Sequence, residues 1–209
     1  MPPPPVLDDP PRAIAYVGRR MLARGMTDVA GGNISVRLGE RIWMTPRYAG
    51  HRWHWQLEPD DVLELDRGGR RLAGSHEVSR DVAVHLAVYD AAPAAGAVVH
   101  AHAPHALAFA AAGIPVPPVI EAAEVLGAVP VVTGAEVAGV AAAMHDARAR
   151  IAAFAAAVLI EGHGVVVAGR DLAHAYDGLE RLESCARTVW LQSAAGLRGP
   201  HDTSPSGRG

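Results

Sequence analysis

The stretch "VVHAHAPH", Val98 to His105, sets three histidines into six positions directly after a run of small apolar residues. On a strand, side chains two apart leave the same face, about 6–7 Å apart along the chain, so His100 and His102 can turn toward one ion. A catalytic zinc commonly takes three protein ligands, with nitrogens at about 2.0–2.1 Å, so a third ligand is needed from elsewhere. His163 is the candidate. It stands in "EGHGV", where the flanking glycines let the backbone turn sharply and push one imidazole out between two apolar strands. An H-x-H pair alone is weak evidence, because a lone histidine in an apolar strand is more often a hydrogen-bonded core residue. His105 reads as a helix-start residue with no ligand role.

Asp81 adds the second half of a chemistry. In "SRDVAVHLAVYDAAP" Ser79 can cap a helix, and Asp81 falls in its first turn, where the helix dipole favours an anion. His85 follows at i+4 on the same face. By itself Asp81 is an ordinary dipole-matching acid. Beside a tris-imidazole ion, a carboxylate becomes a general acid or base for a polarised substrate.

The elements around these residues alternate. A helix runs from Arg12 to about Arg24 and stops at Gly25; "NISVRL" and "RIWMTP" are strands joined at Gly39, and "VLELD" is a third. The helix from Ser79 leads into a strand at "GAVVHAHA", a helix at "HALAFAAAG" and a short strand at "VPVV". Glu136 to Ala149 is helical, "AAVLIEGHGVVVAG" is two strands about a tight turn, and Leu172 to Ala194 is the last helix, with Tyr176, Leu179, Leu182, Cys185 and Ala186 as its core stripe. "HRWHW", His51 to Trp55, reads as a loop over the pocket or against a neighbouring subunit, or as a packed surface loop.

The chain has 209 residues, enough for one domain with a real core. Half of them are apolar and only 5% aromatic, so alanine, valine and leucine must fill closely packed layers. A net charge of −3 offers no basic field for nucleic acid and no polybasic membrane patch. Cys185 is the only cysteine, which excludes an internal disulfide and suits a reducing compartment. "MPPPPVLDDPPRA" lacks the apolar region of a secretory signal, and no apolar run reaches the roughly 18 residues of a spanning helix. A cytoplasmic protein is expected, with disordered segments at 1–11 and 196–209 around a domain at 12–195.

"GGNISVR", "MTP", "SRDVAVHLAVYDAAPAAGAVVHAHAP" and "VLIEGHGVVVAG", in that order and at these separations, resemble the class II aldolase/adducin family over residues 12–195. The resemblance implies a three-layer α/β/α sandwich about a mostly antiparallel central sheet, assembled as a homotetramer with active sites at subunit interfaces. It implies a divalent metal, zinc or another ion such as Mn2+ or Co2+, on the residues matching His100, His102 and His163. Asp81 matches the family's catalytic acid, which is Glu in aldolases and Asp in the epimerase branch. Gly32 and Asn33 match a pair that helps bind the substrate's phosphate.

Two departures bear on the substrate. Phosphate-binding members read Thr-Pro-Thr/Ser-Gly after the second strand, whereas this chain reads "TPRYAG", from Thr45, with Arg47 in the place of a small hydroxyl residue. The usual Ser-Ser before the acid is here Ser79 and Arg80. Guanidinium groups bind carboxylate or phosphate bidentately, so a small anionic substrate is still implied, with a carboxylate as an alternative to phosphate. The epimerase branch also carries an Asp-Tyr pair; "IEAAEVLGAVP" offers Glu121 and Glu124 but no tyrosine, which ranks epimerisation lower. The expected function is a metal-dependent lyase that cleaves a carbon–carbon bond of a hydroxy-carbonyl substrate through a metal-stabilised enediolate. Asp81 would move the proton, and Asn33, Thr45, Arg47, Ser79 and Arg80 would hold the anion. The alternatives are a decarboxylase of a hydroxylated acid, a sugar-phosphate 4-epimerase, and a non-catalytic adducin-type binding module. A structural zinc site is a poorer fit, since such sites are cysteine-rich.

Overall fold

The computed structural model describes residues 9–134 and 136–197. Most of the two segments expected to be disordered lies outside the described residues; of the first, Pro10 and Pro11 already belong to a helix. In chain order the elements are α1 (Pro10–Ala23), β1 (Asn33–Leu38), β2 (Arg41–Met44), α2 (Ala49–Trp53), β3 (Leu63–Asp66), β4 (Arg71–Ala73), α3 (Val82–Ala91) and β5 (Ala97–Ala101). Then follow α4 (Pro104–Ala112), α5 (Glu121–Glu124), β6 (Val131–Val132), α6 (Glu136–Asp146), α7 (Arg148–Ala153), β7 (Ala155–Ile160), β8 (Gly164–Gly169) and α8 (Leu172–Ala194). None of the described helices is long and apolar enough to cross a membrane.

The strands form one sheet in the order β4-β3-β2-β1-β5-β8-β7-β6, antiparallel at every pairing except β6 with β7. Strand alternation divides the core in two. Val99, Val165, Val167 and Leu159 face one side with Ile14 and Met21 of α1, Ala106 of α4 and Leu179 and Leu182 of α8. Val98, Val158 and Val166 face the other, with Val88 of α3, Met144 of α6 and Ile151 of α7. This is the expected three-layer α/β/α arrangement. Each fully buried Val, Leu or Ile contributes about 1.5–3 kcal/mol relative to exposure. Small residues bring the layers close: a Cβ on Gly169 would lie 2.4 Å from the backbone nitrogen of Ala175.

The structure departs from the sequence reading at several places, the short helix α5 among them. The third helix begins at Val82, so Ser79 is not its cap; the Ser79 Oγ accepts the Asp81 N–H at 3.3 Å, and Asp81 itself takes the N-cap position. The helix expected over Glu136–Ala149 divides at Ala147 into α6 and α7. "HRWHW", read as a loop, is helical in its first part: α2 covers Ala49–Trp53, and His51, Arg52 and His54 are exposed, while Trp55 is fully buried, with its Nε1–H donating to the Asp28 carbonyl at 2.8 Å. β4 was not foreseen, being three exposed residues on the sheet's edge.

Candidate active site

β1, β5 and β8 are neighbours, and their register puts Asn33 opposite His100 and His100 opposite Val166. β5 ends at Ala101, one residue short of His102, because Pro104 opens the next helix. His163 sits at the tip of the β7–β8 turn, between Gly162 at φ +66° and Gly164 at φ +156°. Gly164 is also a close approach: a Cβ there would lie 2.6 Å from the Ala101 carbonyl oxygen and 3.0 Å from the His102 ring. The three imidazoles converge, with centroid separations of 5.3 Å (His100–His102), 4.7 Å (His100–His163) and 6.0 Å (His102–His163).

The side of each ring that faces away from the others is tethered. Nδ1 of His100 donates to the Val165 carbonyl at 3.0 Å, Nδ1 of His102 to Oδ1 of Asp28 at 3.2 Å, and Nδ1 of His163 to Oε2 of Glu136 at 3.2 Å. A carbonyl or an ionised carboxylate can only accept, so each Nδ1 carries a proton, and in the neutral ring the lone pair is left on Nε2. The Nε2 atoms of His100 and His102 are buried without a hydrogen-bond partner. One ligand atom from each of the three histidines lies within 4.8 Å of the others. Buried polar atoms left unpaired cost free energy, and three convergent lone pairs are the donor set a divalent cation takes, so the residues fit a metal ion. Burial, then the neighbouring His163 and His102, push the His100 pKa from 6.5 down to about 4, which keeps its ring neutral and able to ligate.

Asp81 lies beside this cluster at the end of a directed hydrogen-bond chain. Asn33 Nδ2 donates to Asp81 Oδ2 at 2.6 Å, and Asn33 Oδ1 meets His85 Nε2 at 2.5 Å. The carboxylate fixes the amide's orientation, so the amide oxygen must accept and His85 must be protonated at Nε2. His85 Nδ1 then accepts from the Ser35 hydroxyl at 2.6 Å, and Ser35 Oγ accepts from the Tyr89 hydroxyl at 2.7 Å. His85 is fully buried, and burial with the nearby His100 lowers its pKa to about 3. Burial likewise raises the Tyr89 phenol, so both stay neutral.

A cleft of about 450 Å³, open mouth included, adjoins the cluster along Gly31, Asn33 and Asp81. Its lining includes four of the expected anion-binding residues, Asn33, Arg47, Ser79 and Arg80. Thr45 is not among them: it is fully buried, and its Oγ1 accepts the Ile34 N–H at 3.1 Å, holding β1 to the chain after β2. Arg47 donates from Nη1 to Glu77 at 2.9 Å and lies 4.6 Å from the centroid of the Tyr48 ring. Tyr48, missed in the sequence, lines the same cleft, as does His51 from the stretch read as a loop over the pocket. His105 is a helix-start residue as expected; its N–H donates to the buried Glu183 at 3.0 Å.

A family model described as the class II aldolase and adducin N-terminal domain matches residues 12–190. The methylthioribulose-1-phosphate dehydratase of Acidiphilium cryptum is 31% identical over 188 residues, 85% of this chain and 88% of the relative. The 5-deoxy-D-ribulose 1-phosphate aldolase of Bacillus thuringiensis is 27% identical over 183 residues, 88% of this chain and 84% of the relative. Among solved structures, an L-fuculose-1-phosphate aldolase from Thermus thermophilus superposes with a TM-score of 0.72 at 26% identity, covering 87% of this chain and 94% of the other.

Proposed function

The chain belongs to the class II aldolase and adducin family, and on that premise we propose that it is a metal-dependent lyase cleaving a carbon–carbon bond of a small anionic hydroxy-carbonyl substrate. The observation that carries the reading is the convergence of three Nδ1-tethered histidines beside Asp81 and the cleft. His100, His102 and His163 would hold a divalent cation, zinc in the first instance. Such an ion supplies polarisation of a carbonyl and a sink for the negative charge that bond cleavage leaves.

The chain's own residues do the rest. Asp81 moves the proton to or from the carbon beside the carbonyl, and Asn33 holds one of its oxygens in place. Ser79 and Asn33 offer polar hydrogens and oxygens at the cleft wall, while Arg47 and Arg80 bring positive charge to the anionic end. The relatives' names support a sugar phosphate as substrate. The two arginines favour a second reading, in which the anion is a carboxylate and carbon dioxide is the leaving fragment. A homotetramer with active sites at subunit interfaces belongs to the same proposal; the exposed Trp190 and Leu191 near the end of α8 supply apolar surface for it.

The test is metal analysis of the purified chain together with a screen of phosphorylated ketoses against hydroxylated carboxylic acids, scoring aldehyde and carbon dioxide separately. Aldehyde from phosphorylated ketoses alone supports the lyase reading. Carbon dioxide from unphosphorylated acids replaces it with decarboxylation, and a chain with neither metal nor turnover overturns both.

A further inference from the structure

The three tethers behind the imidazoles are unequal. His100 is held by a neutral backbone carbonyl, but His102 and His163 are each held by a carboxylate, Asp28 and Glu136, from chain segments 74 and 27 residues away. We propose that Asp28 and Glu136 are positioning residues of the metal centre, which fix the Nδ1–H form of His102 and His163 and raise the site's affinity for a divalent cation through their charge. The inference rests on the proposed metal dependence.

Asp28 is built in advance for this task. Its Oδ1 also accepts the backbone N–H groups of Ala30 at 2.8 Å and Gly31 at 3.2 Å, which folds residues 28–31 around the carboxylate. Its own carbonyl takes the Nε1–H of the buried Trp55. The same loop presses on the imidazole: a Cβ on Gly31 would lie 2.4 Å from His102 Cε1, so only glycine leaves room for the ring. α2 closes the loop from behind, where a Cβ on Gly50 would meet the Val29 carbonyl oxygen at 2.8 Å. Glu136 opens α6 and reaches the turn that carries His163. A carboxylate accepting from Nδ1–H leaves Nε2 as the lone-pair nitrogen and makes it more basic, an outer-shell effect of about 10–100-fold in metal affinity. Both carboxylates are partly exposed, with side chains 51% and 34% accessible, so the charge component weakens with added salt.

The experiment measures Zn2+ affinity of the full chain by competition with a chromophoric chelator, independently of any turnover. Asp28→Ala and Glu136→Ala are each expected to lose about 10–100-fold in affinity, and Asp28→Asn, which keeps an acceptor oxygen for the loop and for His102, to lose less. Glu40→Gln, in the turn that joins β1 to β2, serves as the surface-charge control and is expected to bind as the unmodified chain does. Nitrogen-15 spectra of the metal-free protein should show His102 protonated at Nδ1 in the unmodified chain and a tautomer mixture in Asp28→Ala, a signature that mere loss of stability does not produce. Should the unmodified chain bind while both alanine variants stay within about twofold of it, this inference alone falls. The same holds if Glu40→Gln loses as much as they do. A chain that takes up no Zn2+ overturns this inference and the metal-dependent reading together.

Discussion

The histidine cluster and the cleft beside it are built on opposite plans. Around the histidines every Nδ1 has a fixed acceptor, glycines at 31 and 164 leave the rings their room, and the lone pairs point inward. In the cleft, Tyr48 and Arg80 are exposed, and Arg47 is partnered by a largely exposed glutamate. The first region allows one arrangement of atoms, and the second can exchange side chains without disturbing the sheet. On the proposed function, the difference would put the type of chemistry in the tethered cluster and the choice of substrate in the open rim, where Arg47 and Arg80 stand in place of the small hydroxyl residues that the family resemblance implies.

The largest expected effect is therefore in the cluster. His102→Ala should lose bound metal and turnover together, a fall of about 10³-fold or more, and retained metal-dependent activity would break the comparison. Asp81→Asn should keep the metal content and lower turnover about 10²–10⁴-fold; metal loss in that variant would show that Asp81 belongs to the ion's shell rather than to proton transfer. Trp55→Ala should cost about 3–5 kcal/mol in urea unfolding, because the ring is fully buried and carries the Asp28 loop that joins the two regions.

In the rim the effects shrink. Arg47→Ser combined with Arg80→Ser should raise KM by about tenfold or somewhat more for each guanidinium that contacts the anion, with kcat little changed, since at an open rim a charge-assisted hydrogen bond contributes about 1.5 kcal/mol, the low end of its range. An unchanged KM would remove the rim from substrate choice. Smallest is the pH effect on the metal-free chain. His85 and His100 have pKa values lowered from 6.5 to about 3 and about 4, so between those values the unfolded chain binds more protons than the folded one. Stability is then fully present above about pH 6.5 and falls on acidification toward pH 4, and the urea midpoint at pH 5 should lie below that at pH 7. A midpoint that rises on acidification would contradict the buried, neutral state of both rings.

What the sequence disclosed follows the range over which its signals act. β1 over "NISVRL" and α8 over Leu172–Ala194 were legible to the residue, because alternation and a helical stripe are written in adjacent positions. His163 was legible because two glycines announce its turn. Asp28 was not: its partner His102 lies 74 positions away, and "TDVAGG" by itself announces only a turn. α2 escaped because its flanks, Tyr48, His54 and Trp55, take positive φ without a glycine to signal it, a conformation that costs free energy and is held by the packing of Trp55. The resemblance assigns Thr45 to the anion, yet its hydroxyl is taken by the backbone of β1.

The chain of donors from Tyr89 through Ser35, His85 and Asn33 ends on Asp81, and all four links run the same way. Polarity of that kind is collective. An ionised Asp81 can only accept, so its charge fixes the rotamer of the Asn33 amide, the Nε2–H form of His85 and the direction in which the two hydroxyls behind it point. A charge at the mouth of the cleft thus sets the orientation of a phenol sealed inside the protein, four hydrogen bonds away.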